Sequence, residues 1–348
     1  MKELCYMTCC PTDAYFTWQV QLWLQSLRDL GESDKAHVLL YNPKGRIVVE
    51  QWKKLEEYFP EVRFKMYEDN MLRNLLPLYI PVLRPFLMYN YMAENPELAK
   101  KAIFYCDSDV IFVKKLDIDK YLNDEVSYLS NTVSYIGSEY IIGKKKDVLP
   151  KKLKEFEKRD VLEEMCKLVG ITKQKALDNQ ASSGGAQYLL KGTDSKFWEK
   201  VMKDCIAIKL HLDSVNRLFF ENGNTGYQSW CADMWSVLYN LWHRNIETKV
   251  VPEMDFAWST DPVEKLQQVA ILHNAGITDE GSMRTTVKGE DGKNIVVKAP
   301  AFYKGRFIDG TPPWHDMSYL ENIVNNEVSK KYCNHFYTDF LIKQKDKL

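Results

Sequence analysis

Two aspartates set one residue apart, Asp107 and Asp109 around Ser108, interrupt an apolar run in "AIFYCDSDVIF". Carboxylates that close, in a segment whose neighbours favour burial, need a compensating positive charge. A hard divalent cation supplies it most cheaply, because it takes oxygen ligands and commonly brings a phosphate with it. The competing reading is an Asp-Ser-Asp turn that caps the following element. His273 ends a second short apolar run, "VAILHNAG", where a histidine is either a satisfied core residue or a ligand. Taken together, an Asp-x-Asp at one strand exit and a histidine at another can hold Mn²⁺ or Mg²⁺ with a nucleoside diphosphate.

The elements that must position these residues alternate in period along the chain. "ELCYMTCC" reads as a strand. Thr12 and Asp13 can then cap a helix with Phe16, Val20, Trp23, Leu27 and Leu30 on one face, closed by Gly31. "AHVLLYN" is a strand, "IVVEQWKKLEEYF" a helix, "VRFKMYE" a strand and "LRPFLMYNYMAEN" a helix leading into "KAIFYC". This order predicts an α/β fold, Rossmann-like, with a mostly parallel sheet and helices on both faces. Ligands in such sheets bind at the carboxyl ends of strands, which is where Asp107 and Asp109 fall. Further on, residues 143–169 read as a lysine-rich helical excursion, "SSGGAQYLLKG" as a glycine turn feeding a strand, and "WCADMWSVLYNLWHRN" as an apolar helix. "ETKVVPEMDFAW" and "QVAILHNAG" add strands, residues 283–299 read as a β-hairpin around Glu290, Asp291 and Gly292, and the tail reads as terminal helices. The division expected is a catalytic domain over residues 1–280 and a hairpin and helical extension over 281–348.

Bulk properties narrow the function classes. With 348 residues, 45% hydrophobic and 13% aromatic, the chain can bury a sizeable core. A formal net charge of -1 gives no general attraction to nucleic acid or anionic lipid, so any such contact needs a local patch. No apolar run has the length of a membrane span, and residues 1–12 lack a signal-peptide pattern, so the expected location is cytoplasmic without membrane association. The eight cysteines show no paired CxxC spacing and read as small buried hydrophobes in a reducing compartment.

In this order the motifs resemble those of the GT-A glycosyltransferases, and more narrowly the hydroxyproline O-arabinosyltransferase and peptidyl serine α-galactosyltransferase family. The similar pieces are "TDAYFTWQVQLW", "LRPFLMYNYM", "CDSDVIFVKKL", "SSGGAQYLLK", "WCADMWSVLY" and "ILHNAG", spread over most of residues 5–276. The family's members enter the secretory pathway, whereas this chain starts directly at its first strand.

The resemblance implies a retaining enzyme that moves arabinose, galactose or glucose from a UDP-sugar to an acceptor hydroxyl. Asp109, and Asp107 directly or through ribose and water, would bind Mn²⁺ or Mg²⁺ on the donor's diphosphate, His273 would complete the coordination, and Ser108 would contact the donor nucleotide. The segment from Thr8 to Gln19 would hold uridine, with Asp13 and Gln19 as polar contacts and Trp18 either stacked on the base or part of the core. Arg84 would touch the donor, or be an exposed residue at a helix start. Ser183, Gly184 and Gly185 would let the backbone approach the sugar closely, or form a plain tight turn. Asp233 would stand nearest the anomeric carbon, or cap its helix.

The acceptor is not specified by these residues. A cytosolic peptide, a sugar, a small molecule or a hydroxymethylated DNA base would each supply a hydroxyl. The lysines at 144–146, 151, 152 and 154 would meet phosphates in the last case, although Glu155, Glu157 and Asp160 interleave with them as on a solvated helix face. A metal-dependent phosphohydrolase would want a second acidic cluster, and none follows at a convincing spacing. A catalytically inactive nucleotide-sugar-binding protein is the non-enzyme reading, and the intact Asp107, Asp109 and His273 argue against it.

Overall fold

The computed structural model describes residues 2–70, 72, 79–221, 226–279, 283–288, 293–345 and 347. The long strands form where sequence patterning asks for them. All eight residues of β1 (Leu4–Pro11) are buried, and β2 (Ala36–Pro43) is buried at seven of eight positions, the continuous apolar signature of strands covered on both faces. β3 (Arg63–Asp69) has no fully buried residue and lies at a sheet edge. With β4 (Ala102–Tyr105), β6 (Ser127–Asn131), β7 (Gly184–Leu190) and β8 (Thr248–Val250) they make a seven-stranded sheet in the order β3-β2-β1-β4-β7-β6-β8.

The architecture is α/β, as expected, with a mixed central sheet. β1 and β4 are parallel, as are β6 and β8, but β7 runs antiparallel to both β4 and β6. Apolar patterning reports burial and leaves strand direction to the connections. Here the long helical stretch between β6 and β7 returns the chain in the opposite sense.

After β4 the chain leaves the large sheet. Cys106 and the Asp107–Asp109 turn lead into β5 (Val110–Phe112), which joins a three-stranded sheet with β9 (Phe256–Trp258) and β10 (Ile271–His273), in the order β5-β10-β9. β11 (Met283–Lys288) and β12 (Asn294–Ala299) pair antiparallel as the expected hairpin, while its turn residues Glu290, Asp291 and Gly292 lie outside the described residues.

The helices Ala14–Asp29, Glu50–Tyr58, Leu83–Glu94 and Ala232–His243 fall where periodicity placed them. A fifth, Ser195–Phe219, is the longest at 25 residues and was not among the expected elements. Its signals are nevertheless local. Asp194 accepts the Phe197 N–H at 2.7 Å as an N-cap, and Phe197, Val201, Cys205, Ile208, Leu212, Val215 and Phe219 bury one face. Among the described residues no helix is long and apolar enough to cross a membrane. All eight cysteines are buried, and none forms a disulfide.

The chain divides into two compact units. One comprises residues 1–9, 66–106 and 118–254, and the other residues 10–65, 107–117 and 255–348. In the second unit a single buried cluster takes Trp18 and Leu22 from the first helix, Ile111 from β5, Leu272 from β10, and Phe302, Phe307, Leu320, Ile323, Tyr337 and Leu341 from the C-terminal region. The tail residues therefore belong to the same core that supports β5 and β10.

Candidate metal centre

Asp107, Asp109 and His273 come together inside the second unit, and one ligand atom from each lies within 4.8 Å of the others. The register of the small sheet accounts for this. β10 pairs antiparallel with β5 so that His273 stands opposite Val110, one residue beyond Asp109, and the Asn274 N–H donates to the Asp109 carbonyl at 2.9 Å. The imidazole Nε2 lies 3.3 Å from Asp109 Oδ1 and 3.9 Å from Asp107 Oδ2. On its other side β9 runs parallel and sets Trp258 beside His273, the two rings stacked at 5.2 Å and 28°.

Asp109 and His273 are buried, while the Asp107 side chain keeps 27% of its surface open, so the cluster has one accessible side. Two carboxylates and an imidazole are a hard-to-borderline donor set suited to Mn²⁺ or Mg²⁺. The residues present therefore fit a divalent cation.

A fourth group, Lys304, was not anticipated. Its ammonium pairs with Asp109 Oδ2. Lys304 opens a short turn after β12, and that segment is pinned by Asn334, which accepts the Phe302 N–H at 2.7 Å and donates to the Phe302 carbonyl at 3.1 Å. Burial alone would raise the Asp109 carboxyl, but the Lys304 ammonium and the neighbouring His273 ring outweigh it and hold the group far below the usual carboxylate range. Lys304 answers in kind: burial opposes its charge, and Asp109 more than restores it, leaving the ammonium pKa raised. Tyr15 also faces the cluster, its phenol pushed up by burial, with Lys304 lowering it and Asp109 raising it. The sequence signal for Lys304 was a lysine set among aromatics in "AFYKGRF".

Several other anticipated residues take partners within the protein. Asp13 stands at the N-cap position without capping and instead pairs with Arg46 at 2.6 Å. Thr12 donates to Asn42 Oδ1 at 2.8 Å. Gln19 is buried and donates to the Tyr15 carbonyl at 3.0 Å. Ser108 is buried within the aspartate turn, and Thr8 is fully buried in β1.

Trp18 is core. It is 1% exposed and meets Tyr15 and Phe302 edge-on at 5.9 and 5.7 Å. Trp18→Ala should therefore destabilise the fold by about 3–5 kcal/mol through loss of packing, read as a fall in melting temperature.

The remaining anticipated residues lie in the first unit. Arg84 Nη1 pairs with Asp233 Oδ2 at 2.9 Å, so Arg84 is no simple exposed helix start. The Tyr79 hydroxyl accepts the Asp233 N–H at 2.9 Å and lies 3.3 Å from Asp233 Oδ1. Ser183 donates to the Asn179 carbonyl at 3.2 Å. A Cβ on Gly184 would lie 2.5 Å from the Ser130 carbonyl, and one on Gly185 would lie 2.7 Å from the Tyr188 hydroxyl and 2.9 Å from Met234 Cε. Close packing against backbone thus already demands Gly184, whereas the atoms met at Gly185 are side-chain ends. Ala186 follows them with φ +68°, a left-handed conformation unusual for a residue with a Cβ.

In the lysine-rich stretch, Lys144, Lys145 and Lys152 pair with Asp147, Glu157 and Glu155. These pairs leave less charge for a phosphate backbone.

No family model and no curated protein matches the chain. Among solved structures it is similar to one titled as the apo form of the bifunctional glycosyltransferase WbbM, at 9% identity and a TM-score of 0.43, over 94% of this chain. The chain spans 50% of the length of that protein.

Proposed function

We propose that the chain is a metal-dependent glycosyltransferase of the GT-A type, moving a sugar from a UDP-sugar to an acceptor hydroxyl with retention of anomeric configuration. The observation that carries this reading is the convergence of Asp107, Asp109 and His273 at a strand exit, open on one side. It is supported by the motif order of the sequence, in which these residues fill the metal-binding positions.

Asp107, Asp109 and His273 would hold Mn²⁺ or Mg²⁺. When bound, the cation supplies Lewis-acid neutralisation of the charge that develops on a departing nucleoside diphosphate. Lys304 adds a fixed ammonium to the same spot, so the protein itself presents positive charge to an anionic leaving group. Asp109 keeps that ammonium in place. Trp258 stacks on the His273 ring, and the Tyr15 phenol lies within electrostatic reach of Lys304.

Retention by double displacement would need a free carboxylate nucleophile. Asp233, the residue expected nearest the anomeric carbon, is held by the Arg84 guanidinium and the Tyr79 hydroxyl, which occupy carboxylate lone pairs that an attack would use. Front-side attack, in which the acceptor hydroxyl passes its proton to the leaving phosphate oxygen as the new glycosidic bond forms, therefore suits the structure better.

Calorimetry of UDP binding tests the reading. UDP should bind at least tenfold more tightly with Mn²⁺ than in EDTA, and a screen of UDP-sugars should reveal one that is hydrolysed to UDP only with the metal. Metal-independent UDP affinity would overturn the proposal. Metal-dependent binding with no turnover of any donor would favour an inactive nucleotide-sugar-binding protein.

A further inference from the structure

Both oxygens of the Asp109 carboxylate are already engaged inside the second unit. Oδ1 faces the imidazole Nε2 of His273 at 3.3 Å, and Oδ2 pairs with the Lys304 ammonium. Only 9% of the Asp109 side chain is exposed, so water does little to screen the charges around it. One carboxylate thus stands between a candidate metal ligand and a positive charge of the protein's own.

The backbone that carries this ammonium is anchored in the core. Phe302 is fully buried in the cluster that holds Trp18 and Tyr337, and its N–H and carbonyl both bond Asn334. The Tyr303 N–H donates to the Tyr319 hydroxyl at 2.8 Å, and that hydroxyl donates to the Ala301 carbonyl at 2.8 Å. Lys304 is therefore a tethered counter-ion, kept near Asp109 by its own segment as well as by the carboxylate.

The charges present decide what the tether does to a metal. With the imidazole neutral, as coordination requires, two carboxylates against one ammonium leave Asp107, Asp109, His273 and Lys304 together with a single negative charge. A bare divalent cation would turn this into a net positive charge around a buried carboxylate, whereas without Lys304 the same cation would balance the two aspartates. Like charges sharing one carboxylate repel, and burial strengthens the repulsion. We propose that Lys304 lowers the affinity of the Asp107–Asp109–His273 centre for a bare divalent cation, so that the centre fills when the cation and the anionic diphosphate of a nucleotide arrive together. The proposal rests on the glycosyltransferase reading above. A rival role for Lys304, orienting Asp109 toward the metal, predicts the opposite sign, because losing such a supporting contact weakens metal binding roughly 10–100-fold.

Calorimetric titration of Mn²⁺ into the full chain, with and without UDP, tests this. Lys304→Gln removes the charge and keeps an N–H donor. It should bind Mn²⁺ alone at least about tenfold more tightly than wild type, and its melting temperature should rise more over the same range of Mn²⁺. Lys304→Arg retains the charge and should bind Mn²⁺ alone no more tightly than wild type. UDP should raise the Mn²⁺ affinity of wild type by roughly 5–150-fold, the usual span of coupled sites, and that of Lys304→Gln by less. If the glutamine variant melts below the titration temperature, Lys304→Met takes its place. A neutral variant that binds Mn²⁺ alone no more tightly than wild type overturns the proposal, and the glycosyltransferase reading survives that result if wild type still binds Mn²⁺ and UDP together. Tighter Mn²⁺ binding in the neutral variant with no effect of UDP in either chain overturns the coupling and the nucleotide-sugar reading with it. Absence of Mn²⁺ binding in every chain, with or without UDP, removes both.

Discussion

Asp109→Asn is expected to abolish manganese-dependent turnover of the UDP-sugar and also to lower the melting temperature. Turnover should fall by more than the roughly 10–100-fold lost when only a supporting interaction of a metal site is removed, because in the proposed function Asp109 would offer its oxygen directly to the metal. The fall in stability has a separate cause. Asp109 neutralises Lys304, and removing it leaves a largely buried ammonium without its partner, at a cost of roughly 3 kcal/mol, the lower end for a broken buried pair. The lower end applies because 30% of the Lys304 side chain still reaches solvent.

The two consequences separate in a double variant. Asp109→Asn combined with Lys304→Met removes both charges and should recover much of the lost stability. Turnover should stay absent. If turnover returns with stability, Asp109 is a structural partner of Lys304 and no metal ligand.

The pH dependence of stability follows from the same pair. Asp109 is depressed in the folded state, so its contribution is present above the unfolded value of about 3.9 and is lost as pH falls toward the folded one. Lys304 is raised, so its contribution is present below about 10.4 and lost as pH rises through the folded value. Stability from this pair is thus flat across neutral pH. In Lys304→Met, burial acts on Asp109 with less opposition, its folded-state carboxyl rises toward the unfolded value, and the loss of stability on acidification should be shallower than in wild type.

What the sequence disclosed and what it hid divide by distance along the chain. The exit of β4 onto Asp107 and Asp109, and the placement of His273 at the end of β10, were legible because each is a local apolar run ended by a polar residue. Lys304 was hidden because it stands 195 residues from its partner, and nothing in "AFYKGRF" names Asp109. The expected need for a positive charge beside the aspartates was sound, and the protein supplies one of its own. The side-chain cap expected of Asp13 is absent for a related reason: the capping position is local and correct, but Arg46, 33 residues on, takes the carboxylate. Trp18 could not be assigned by type alone, since its burial depends on Phe302 near the other end of the chain. The direction of β7 also escaped, because it is a property of the connection rather than of the strand.

His273→Ala is the variant that best separates a metal centre from a polar core. The imidazole is 6% exposed and stacked on Trp258, so either reading predicts some loss of stability, on the order of 1–3 kcal/mol. A melt alone therefore decides nothing, and the metal response must be read beside it. If His273 completes the ligand set, the Mn²⁺ concentration needed for UDP binding should rise roughly 10–100-fold or more. The melt should change its dependence on metal as well. A ligand that binds only the folded state stabilises it by about 2.7 kcal/mol at a hundred times its dissociation constant, so wild type should gain melting temperature as Mn²⁺ is added, and His273→Ala should gain little over the same range. The opposite outcome is equally clear. A variant that melts lower but keeps the wild-type manganese response, both in UDP binding and in thermal shift, would place His273 in the core beside Trp258 and leave Asp107 and Asp109 as the only ligands, too few to carry the assignment.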